Sequence, residues 1–247
     1  NKTIQYGFVS TGNLHEKTAR VYGDHCLLTA DRRVMADINR IFRYLENWRA
    51  GMAELRQCNT LLVSPVKMRK ELIANINREI KQAKAKKPAS IILKLNSLND
   101  QELILRLHEA ARAGVQVRLI IRGIYCPLIA PKKQAFPLEA ISIVDEYLEH
   151  ARVMIFHNQG EEKVFISSAD WMIRNLDHRV EAAIPIFHPD LARELKDIIH
   201  IQLRDNVKAR MLDAQLSNNY VPSAGKKPCR SQVEIYKYLR QKNQSGT

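Results

Sequence analysis

The sequence predicts an α/β fold built as two similar units, the first of them truncated, with mixed, largely parallel sheets flanked by helices. Three observations lead there. Strand-like and helix-like segments alternate from Thr60 to Ile121, the pattern of a helix-covered sheet with parallel strands. A strand, a polar turn and an acid near the amino end recur 157 residues further on, as an internal duplication would have it. At 247 residues and 45% apolar composition, the chain is long enough for one large or two ordinary cores.

Gln5 to Ser10 reads as a strand that ends in the turn Ser10-Thr11-Gly12-Asn13, where Gly and Asn tolerate unusual backbone angles. A helix is predicted after Asp31, because Val34, Ile38, Ile41 and Leu45 recur at spacings of four, three and four and so share one face. Periodicity lapses from Trp48 to Asn59, which reads as a linker and divides the chain into residues 1–54 and 55–247. Beyond it come a strand Thr60 to Val63, a helix Lys67 to Lys84, a strand Ser90 to Leu95, a helix Asp100 to Ala113 closed by Gly114, and a strand Gln116 to Ile121. Two successive βαβ units are the reason to expect largely parallel pairing. Cys126 to Pro137 holds three prolines and reads as a loop. Arg152 to Phe156 and Lys163 to Ser167 are strands joined by the hairpin turn Asn158-Gln159-Gly160. A strand Val180 to Phe187 precedes a helix from Pro189 to about Arg204, and the polar tail from Ser217 carries a short helix near Gln232 to Leu239.

The duplication is specific. Phe8-Val9-Ser10-Thr11-Gly12-Asn13 aligns with Phe165-Ile166-Ser167-Ser168-Ala169-Asp170 at an offset of 157 throughout. At that offset Asp24 falls on Glu181, and Leu27 to Thr29 fall on Ile184 to Ile186. Two such units imply similar domains or half-barrels facing each other across one site.

Charge narrows the class of ligand. With 39 basic and 26 acidic side chains the formal charge is +13, which favours nucleic acid, phosphorylated ligands or acidic membrane. Aromatics are 6% and no patch interleaves them with basic residues, so the stacking platforms of single-strand binders are not visible. Cys26, Cys58, Cys126 and Cys229 form no CxxC, which argues against a zinc ribbon or a disulfide framework and for a reducing cytoplasm. No apolar run approaches the ~20 residues of a spanning helix, and no signal peptide opens the chain. Asn1 leads directly into a strand-like segment, so the natural start is expected upstream.

Several residues suit chemistry. His150, in Tyr147-Leu148-Glu149-His150-Ala151-Arg152, titrates near neutrality and suits attack on phosphorus or proton movement, with Arg152 as a phosphate partner; the alternative is an ordinary surface histidine. Arg122 and Gly123 close the apolar strand Val117 to Ile121, where ligands bind in open α/β sheets and a guanidinium grips phosphate bidentately; the alternative is a solvated arginine. Glu16 to Tyr22 offers Lys17, Arg20 and a phenol after the repeated turn, or is a polar loop. Lys84 to Lys87, Lys132-Lys133 and Lys226-Lys227 read as solvated faces, and Trp171 reads as core. No GxxxxGK[ST], HExxH or close carboxylate cluster occurs, so a metal would arrive as magnesium with a nucleotide.

The same residues carry a family resemblance. Ser10-Thr11-Gly12-Asn13 with Glu16-Lys17-Thr18-Ala19-Arg20 and Leu27-Leu28-Thr29-Ala30-Asp31 resembles the first catalytic half of family-1 polyphosphate kinases. Ser142 to Asp145, Tyr147 to His150, Ser167 to Met172, Arg174 to Asp177 and Val207 to Arg210 resemble the second half, in the same order. The resemblance covers essentially the whole chain. It implies a pair of phospholipase-D-like α/β domains, with residues 1–54 the remainder of the first. It also implies ATP contacts at Tyr22, Arg122 and His150, with His150 a proton donor or phosphate-contacting partner and Arg152 beside it. Arg20 and Glu181 would support, Glu181 from the repeat's acid position. The family's nucleophile, a histidine in an HxK motif phosphorylated by ATP, would lie ahead of Asn1, so the chain taken alone would not turn over.

The partners so implied are ATP, ADP, magnesium and inorganic polyphosphate, in a homo-oligomeric cytoplasmic protein that is also compatible with the membrane periphery; nucleic acid is not expected. Two rival readings are weighed. A phospholipase-D-like phosphodiesterase shares the duplication but generally shows HxK in its second copy and GSxN in its turn, where this chain has His150-x-Arg152 and Ser167-Ser168-Ala169-Asp170. A non-catalytic RNA- or membrane-binding module is supported by charge alone.

Overall fold

The computed structural model describes residues 4–127, 138–215 and 217–245. The expected loop from Cys126 and the Lys132-Lys133 pair lie largely or wholly outside the described residues. Residues 7–46 form strand β1 (Gly7–Ser10), the short helix α1 (Glu16–Ala19), strands β2 (Tyr22–Gly23) and β3 (Cys26–Thr29), and helix α2 (Arg32–Glu46). Asp31 caps α2 by accepting from Arg33 N at 2.8 Å and Val34 N at 3.4 Å, which satisfies two of the free donors of its first turn. The segment expected as a linker folds into a 3₁₀ turn (Trp48–Ala50) and helix α3 (Ala53–Arg56). Buried Asp37 on α2 anchors it, accepting from the backbone N–H groups of Asn59, Thr60 and Leu61 at 2.7 to 3.0 Å.

The remainder runs β4 (Leu62–Ser64), α4 (Met68–Lys84), β5 (Ser90–Leu95), α5 (Gln101–Arg112), β6 (Gln116–Ile121), β7 (Glu139–Ile143), β8 (Leu148–Glu149), β9 (Arg152–Phe156), β10 (Lys163–Ser167), β11 (Glu181–Pro185), α6 (Pro189–Leu203), β12 (Ala209–Met211) and α7 (Ser231–Ser245). Eight strands form one mixed sheet in the order β12-β7-β6-β5-β9-β10-β11-β4. The expectation of largely parallel pairing is corrected here: only β5–β6 and β6–β7 are parallel, and the other five pairings are antiparallel. The reason is an insertion. β4 and β5 run in the same sense, as their βαβ connection requires, but the antiparallel run β9-β10-β11 separates them. The predicted hairpin between β9 and β10 is present, with Asn158, Gln159 and Gly160 all at positive φ.

Residue alternation gives the sheet two buried faces. Ile91, Leu93, Leu95, Leu119, Met154 and Phe156 pack against Leu72, Ile76, Leu103 and Leu107 of α4 and α5. On the opposite face Ile92, Ile120, Val153, Ile155, Ile166 and Ile184 pack with Val34 of α2, Leu55 of α3 and Ile199 of α6. Leu45, predicted on the buried face of α2, is 49% exposed. Trp171 is core, at 1%.

The duplication holds in three dimensions. Phe8 pairs with Leu28, Val9 with Leu27 and Ser10 with Cys26; at the same offset Phe165 pairs with Pro185, Ile166 with Ile184 and Ser167 with Ala183. Helix α2 spans the residues that correspond to α6 at that offset. One copy therefore contributes β10, β11 and α6 to the large sheet and its cover, while the other contributes β1, β3 and α2.

Candidate active site

Strands β5, β6 and β10 run in the same sense and β9 runs against them, so Asn96, Arg122, the turn Ser167 to Asp170, and Arg152 meet at one end of the sheet. The first copy docks onto this end. Strand β2 pairs in parallel with β8, Tyr22 opposite Leu148 and Gly23 opposite Glu149, and Gly23 O accepts from His150 N at 3.2 Å and Ala151 N at 3.0 Å. That short pairing brings Tyr22 and Asp24 of one copy against His150 of the other.

The resulting cluster is closely bonded. His150 Nδ1 lies 3.0 Å from both carboxylate oxygens of Asp24. Arg152 Nη1, which can only donate, lies 3.1 Å from His150 Nε2 and donates to Thr11 O at 3.0 Å. The Asp24 carboxylate, which can only accept, takes a hydrogen bond from His150 Nδ1, and Arg152 Nη1 lies against the ring, 3.1 Å from Nε2 and 3.3 Å from Nδ1. The Tyr22 ring lies 4.8 Å from the imidazole at 50°. Burial alone would raise the Asp24 carboxyl, but hydrogen bonds from His150 and Thr11, with the charge of Arg152, outweigh it and hold the carboxyl below its ordinary value. His25, next in sequence, is pushed down to about 4, first by burial and then by the charge of Lys94, and so stays neutral at pH 7.

Beneath this layer sits a buried support. Arg152 forms a two-point pair with Asp170, Nε to Oδ1 at 3.3 Å and Nη2 to Oδ2 at 3.1 Å, and Asp170 Oδ1 also accepts from Asn96 N at 2.8 Å and Ser97 N at 3.1 Å. Arg122 Nε donates to Asn96 Oδ1 at 3.1 Å, and Asn96 Nδ2 to His150 O at 3.4 Å. Gly123 is required where the chain turns past Asn96, since a Cβ there would lie 2.9 Å from Asn96 O. Lys94, 2% exposed, pairs with Glu149 at 3.0 Å directly before the histidine; burial lowers its pKa and the Glu149 carboxylate offsets part of that.

Among the residues singled out from sequence, His150, Arg152 and Tyr22 come together, and Arg122 joins them through Asn96. Arg20 does not: it is exposed and paired with Glu16. Glu181 sits at the start of β11, accepting from Ser168 Oγ and, at 2.7 Å, from Asn175 Nδ2. The copies even share their hydrogen bonds. Thr11 Oγ1 donates to Asp24 at 2.6 Å as Ser168 Oγ does to Glu181, and His25 N donates to Thr11 Oγ1 at 3.0 Å as Ala182 N does to Ser168 Oγ at 3.2 Å. Sequence reasoning missed Asp24 as the partner of His150, and gave no role at the site to Thr11, Asn96 or Asp170. The repeat offered the signal: an acid recurring after a turn, opposite a histidine supplied by the other copy.

Fold and site together define a duplicated α/β protein whose two copies build a histidine-centred, cation-rich site at their junction. Comparison with known proteins gives the family. The polyphosphate kinase C-terminal domain 1 model matches residues 1–51, and the C-terminal domain 2 model matches residues 61–232. The chain belongs to the polyphosphate kinase family. It is 44% identical over 237 residues to the polyphosphate kinase of Vibrio parahaemolyticus, covering 96% of this chain and 34% of that protein. The Escherichia coli K12 polyphosphate kinase is 44% identical over 241 residues, 97% of this chain and 34% of the relative. The crystal structure of polyphosphate kinase from Porphyromonas gingivalis matches with a TM-score of 0.90 and 43% identity over 98% of this chain and 37% of that one. The chain thus spans about a third of the length of the relatives it matches. Among the described residues no helix is long and apolar enough to cross a membrane, and no group of three or more His, Cys, Asp or Glu side chains is placed to hold a metal ion.

Proposed function

We propose that these residues form the nucleotide-facing part of a polyphosphate kinase that reversibly passes the γ-phosphoryl group of ATP, through a phosphohistidine, to a growing inorganic polyphosphate chain. The observation that carries the reading is the four-residue cluster Asp24, His150, Arg152 and Tyr22, assembled from both copies at their junction. Phosphoryl transfer spreads charge over the moving oxygens, so the site needs fixed cations and a positioned proton carrier more than elaborate covalent machinery. Arg152 and Arg122 supply the cations. Tyr22 and His150 bound the space beside them, and His150, held by Asp24, donates or accepts a proton at Nε2 or contacts phosphate there.

In this reading the nucleophile is a second histidine, supplied by the part of the full-length protein that precedes Asn1. Its ring nitrogen bonds to the γ-phosphorus as the bond to the ADP oxygen breaks; a terminal polyphosphate oxygen then takes the phosphorus as the P–N bond breaks. Glu181 occupies in its copy the place of Asp24, which supports it as the acid that orients that histidine. Magnesium enters only as the counter-ion the nucleotide brings, and no step is assigned to it. Arg20 contributes positive field rather than contact. The chain by itself is expected to be inactive, and the full-length protein to be a homo-oligomer.

Incubating the full-length protein with ATP and magnesium tests this. Acid-labile, base-stable protein phosphate together with long-chain polyphosphate is the expected result, with both lost in His150→Ala or, for polyphosphate at least, reduced to a trace. Cleavage of a phosphodiester substrate with neither product formed would overturn the kinase reading.

A further inference from the structure

Strand β8, which leads directly into His150, is held from its outer side by a side chain of the last helix. The strand is two residues long and pairs with β2 along one edge, where Leu148 N donates to Val21 O at 2.8 Å and His150 N to Gly23 O at 3.2 Å. Backbone groups alternate in direction along a strand, so Tyr147 turns its N–H and C=O to the other edge. Among the described residues no strand pairs there. Gln232, in the first turn of α7 and 85 residues further along the chain, takes both groups instead: its Oε1 accepts from Tyr147 N at 3.0 Å and its Nε2 donates to Tyr147 O at 2.8 Å. A carboxamide offers a carbonyl and an N–H as a peptide unit does, so this side chain stands in for the missing neighbouring strand.

The second amide hydrogen of Gln232 goes to Glu149 Oε1 at 2.8 Å. Glu149 Oε2 accepts from Gln202 Nε2 of α6 at 2.7 Å and lies 3.0 Å from Lys94 Nζ, so both oxygens of this buried carboxylate are fixed, by three different elements. The start of α7 is itself anchored. Arg230 forms a two-point pair with Asp145, Nε to Oδ2 at 2.8 Å and Nη2 to Oδ1 at 2.7 Å. Buried Asp205 accepts from Ser231 N at 2.7 Å with one oxygen and from Val207, Lys208 and Ala209 N with the other, which fastens the head of α7 to the end of α6. Gln232 is the point at which that anchored mount grips the residues leading into His150.

We propose that Gln232 is a positioning residue for phosphoryl transfer: it fixes β8 against β2 and thereby holds the His150 ring against Asp24 and Arg152, acting through the histidine rather than on the substrate. This rests on the transfer reaction proposed above and deepens it. A two-stranded pairing is marginal in water without further support, and here it is only two residues against two. The tie between His150 and Asp24 runs across that pairing. Releasing the outer edge of β8 therefore loosens the ring at the junction, and a misplacement of about 1 Å at a reacting group is enough to slow chemistry by roughly a hundredfold.

The test compares three variants of the full-length protein for polyphosphate synthesis from ATP, for melting temperature, and for amide hydrogen exchange over residues 147–150. Gln232→Glu keeps the shape and the acceptor for Tyr147 N and suits the first turn of a helix, but it loses both donors and sets a carboxylate against Glu149. It is expected to lower kcat by roughly ten- to a hundredfold and to speed exchange at Leu148 and His150, while melting within about 3 °C of wild type. Gln232→Ala should match it in kcat and exchange. Tyr238→Phe removes the bond from α7 to Asp197 Oδ2, 2.8 Å long and further down the helix; it should melt lower yet keep wild-type kcat and exchange. A Gln232→Glu protein with wild-type kcat or wild-type exchange, or an equal fall of kcat in Tyr238→Phe, overturns the proposal. Wild-type protein that makes no polyphosphate, or a His150→Ala variant that makes it at full rate, would instead overturn the reading of the reaction and with it any catalytic role for Gln232, whereas the exchange comparison needs no turnover and reports the grip on β8 by itself.

Discussion

Replacing Asp24 by asparagine removes one charge and almost no volume, so its effect is set by hydrogen-bond geometry. The carboxylate accepts twice, from Thr11 Oγ1 at 2.6 Å and from His150 Nδ1 at 3.0 Å. Both bonds end on Oδ1, and His150 Nδ1 lies equally 3.0 Å from Oδ2. An amide has one acceptor and one donor end. If its oxygen takes the Oδ1 place it can accept from both Thr11 and His150, but its NH₂ then stands 3.0 Å from Nδ1, donor against donor, and the charge that held the ring proton is gone. If its oxygen takes the Oδ2 place, the Thr11 hydroxyl faces a donor and is left with His25 O at 3.4 Å. In either orientation the cross-copy tie is weakened. For a site that relies on a positioned imidazole, Asp24→Asn should lower kcat of the full-length protein in both directions by roughly 10²–10⁴-fold. Loss of one charge-assisted hydrogen bond should lower the melting temperature by only about 5 °C. Steady-state kinetics beside calorimetry makes the comparison, and ¹⁵N shifts of the His150 ring report the tautomer. Unaltered kcat with an unaltered ring spectrum would refute the reasoning.

Gly12→Ala places a Cβ 2.0 Å from Asp24 Oδ2, so the carboxylate must leave His150 and kcat should fall about as far as in Asp24→Asn; an alanine variant at wild-type rate would count against the cross-copy pair. Trp171→Ala empties a site that is 1% exposed and should cost about 3–5 kcal/mol in urea unfolding. Leu14→Ala, at the equivalent position but 70% exposed, should stay within about 0.5 kcal/mol, and equal losses would mean Leu14 is covered in solution. Because the Asp24 carboxyl titrates below its ordinary value of 3.8, its share of stability is complete above that value and is lost as the pH falls through the lower folded value. The acid limb of a melting-temperature profile should therefore flatten in Asp24→Asn, and an identical limb would show that Asp24 is not held low by folding.

Much of the architecture was legible because it is written in local periods. The apolar spacing of α4 and α5, the runs of β5, β6, β9 and β10, and the turn at 158–160 each declare themselves within a few residues. The repeat was legible too, since both copies kept strand, turn and acid at one offset, and helix α2 against α6 shows that it reaches further than the hexapeptide. Periodicity does not encode partner choice. A βαβ pattern specifies that β4 and β5 run the same way, yet says nothing of the three strands placed between them, and that is why parallel pairing was over-expected. The three-residue edge strand β12 and the two-residue β2 and β8 are too short to carry a period of their own.

The site divides along the same line. By itself the sequence determined that His150 stands two residues before an arginine, that Tyr22 and Arg122 follow a repeated turn and an apolar strand, and that an acid recurs at Asp24 and Glu181, because these are facts of spacing. Only the tertiary structure decided that Asp24 serves the histidine of the other copy, 126 residues away, and that Arg152 is held by Asp170 while reaching across to Thr11. Those contacts depend on the parallel pairing of β2 with β8, two residues against two. Such a pairing is stabilised by its surroundings, the support of Lys94, Glu149 and Asn96 below and the docked first copy above, and none of that is contained in the few residues that form it.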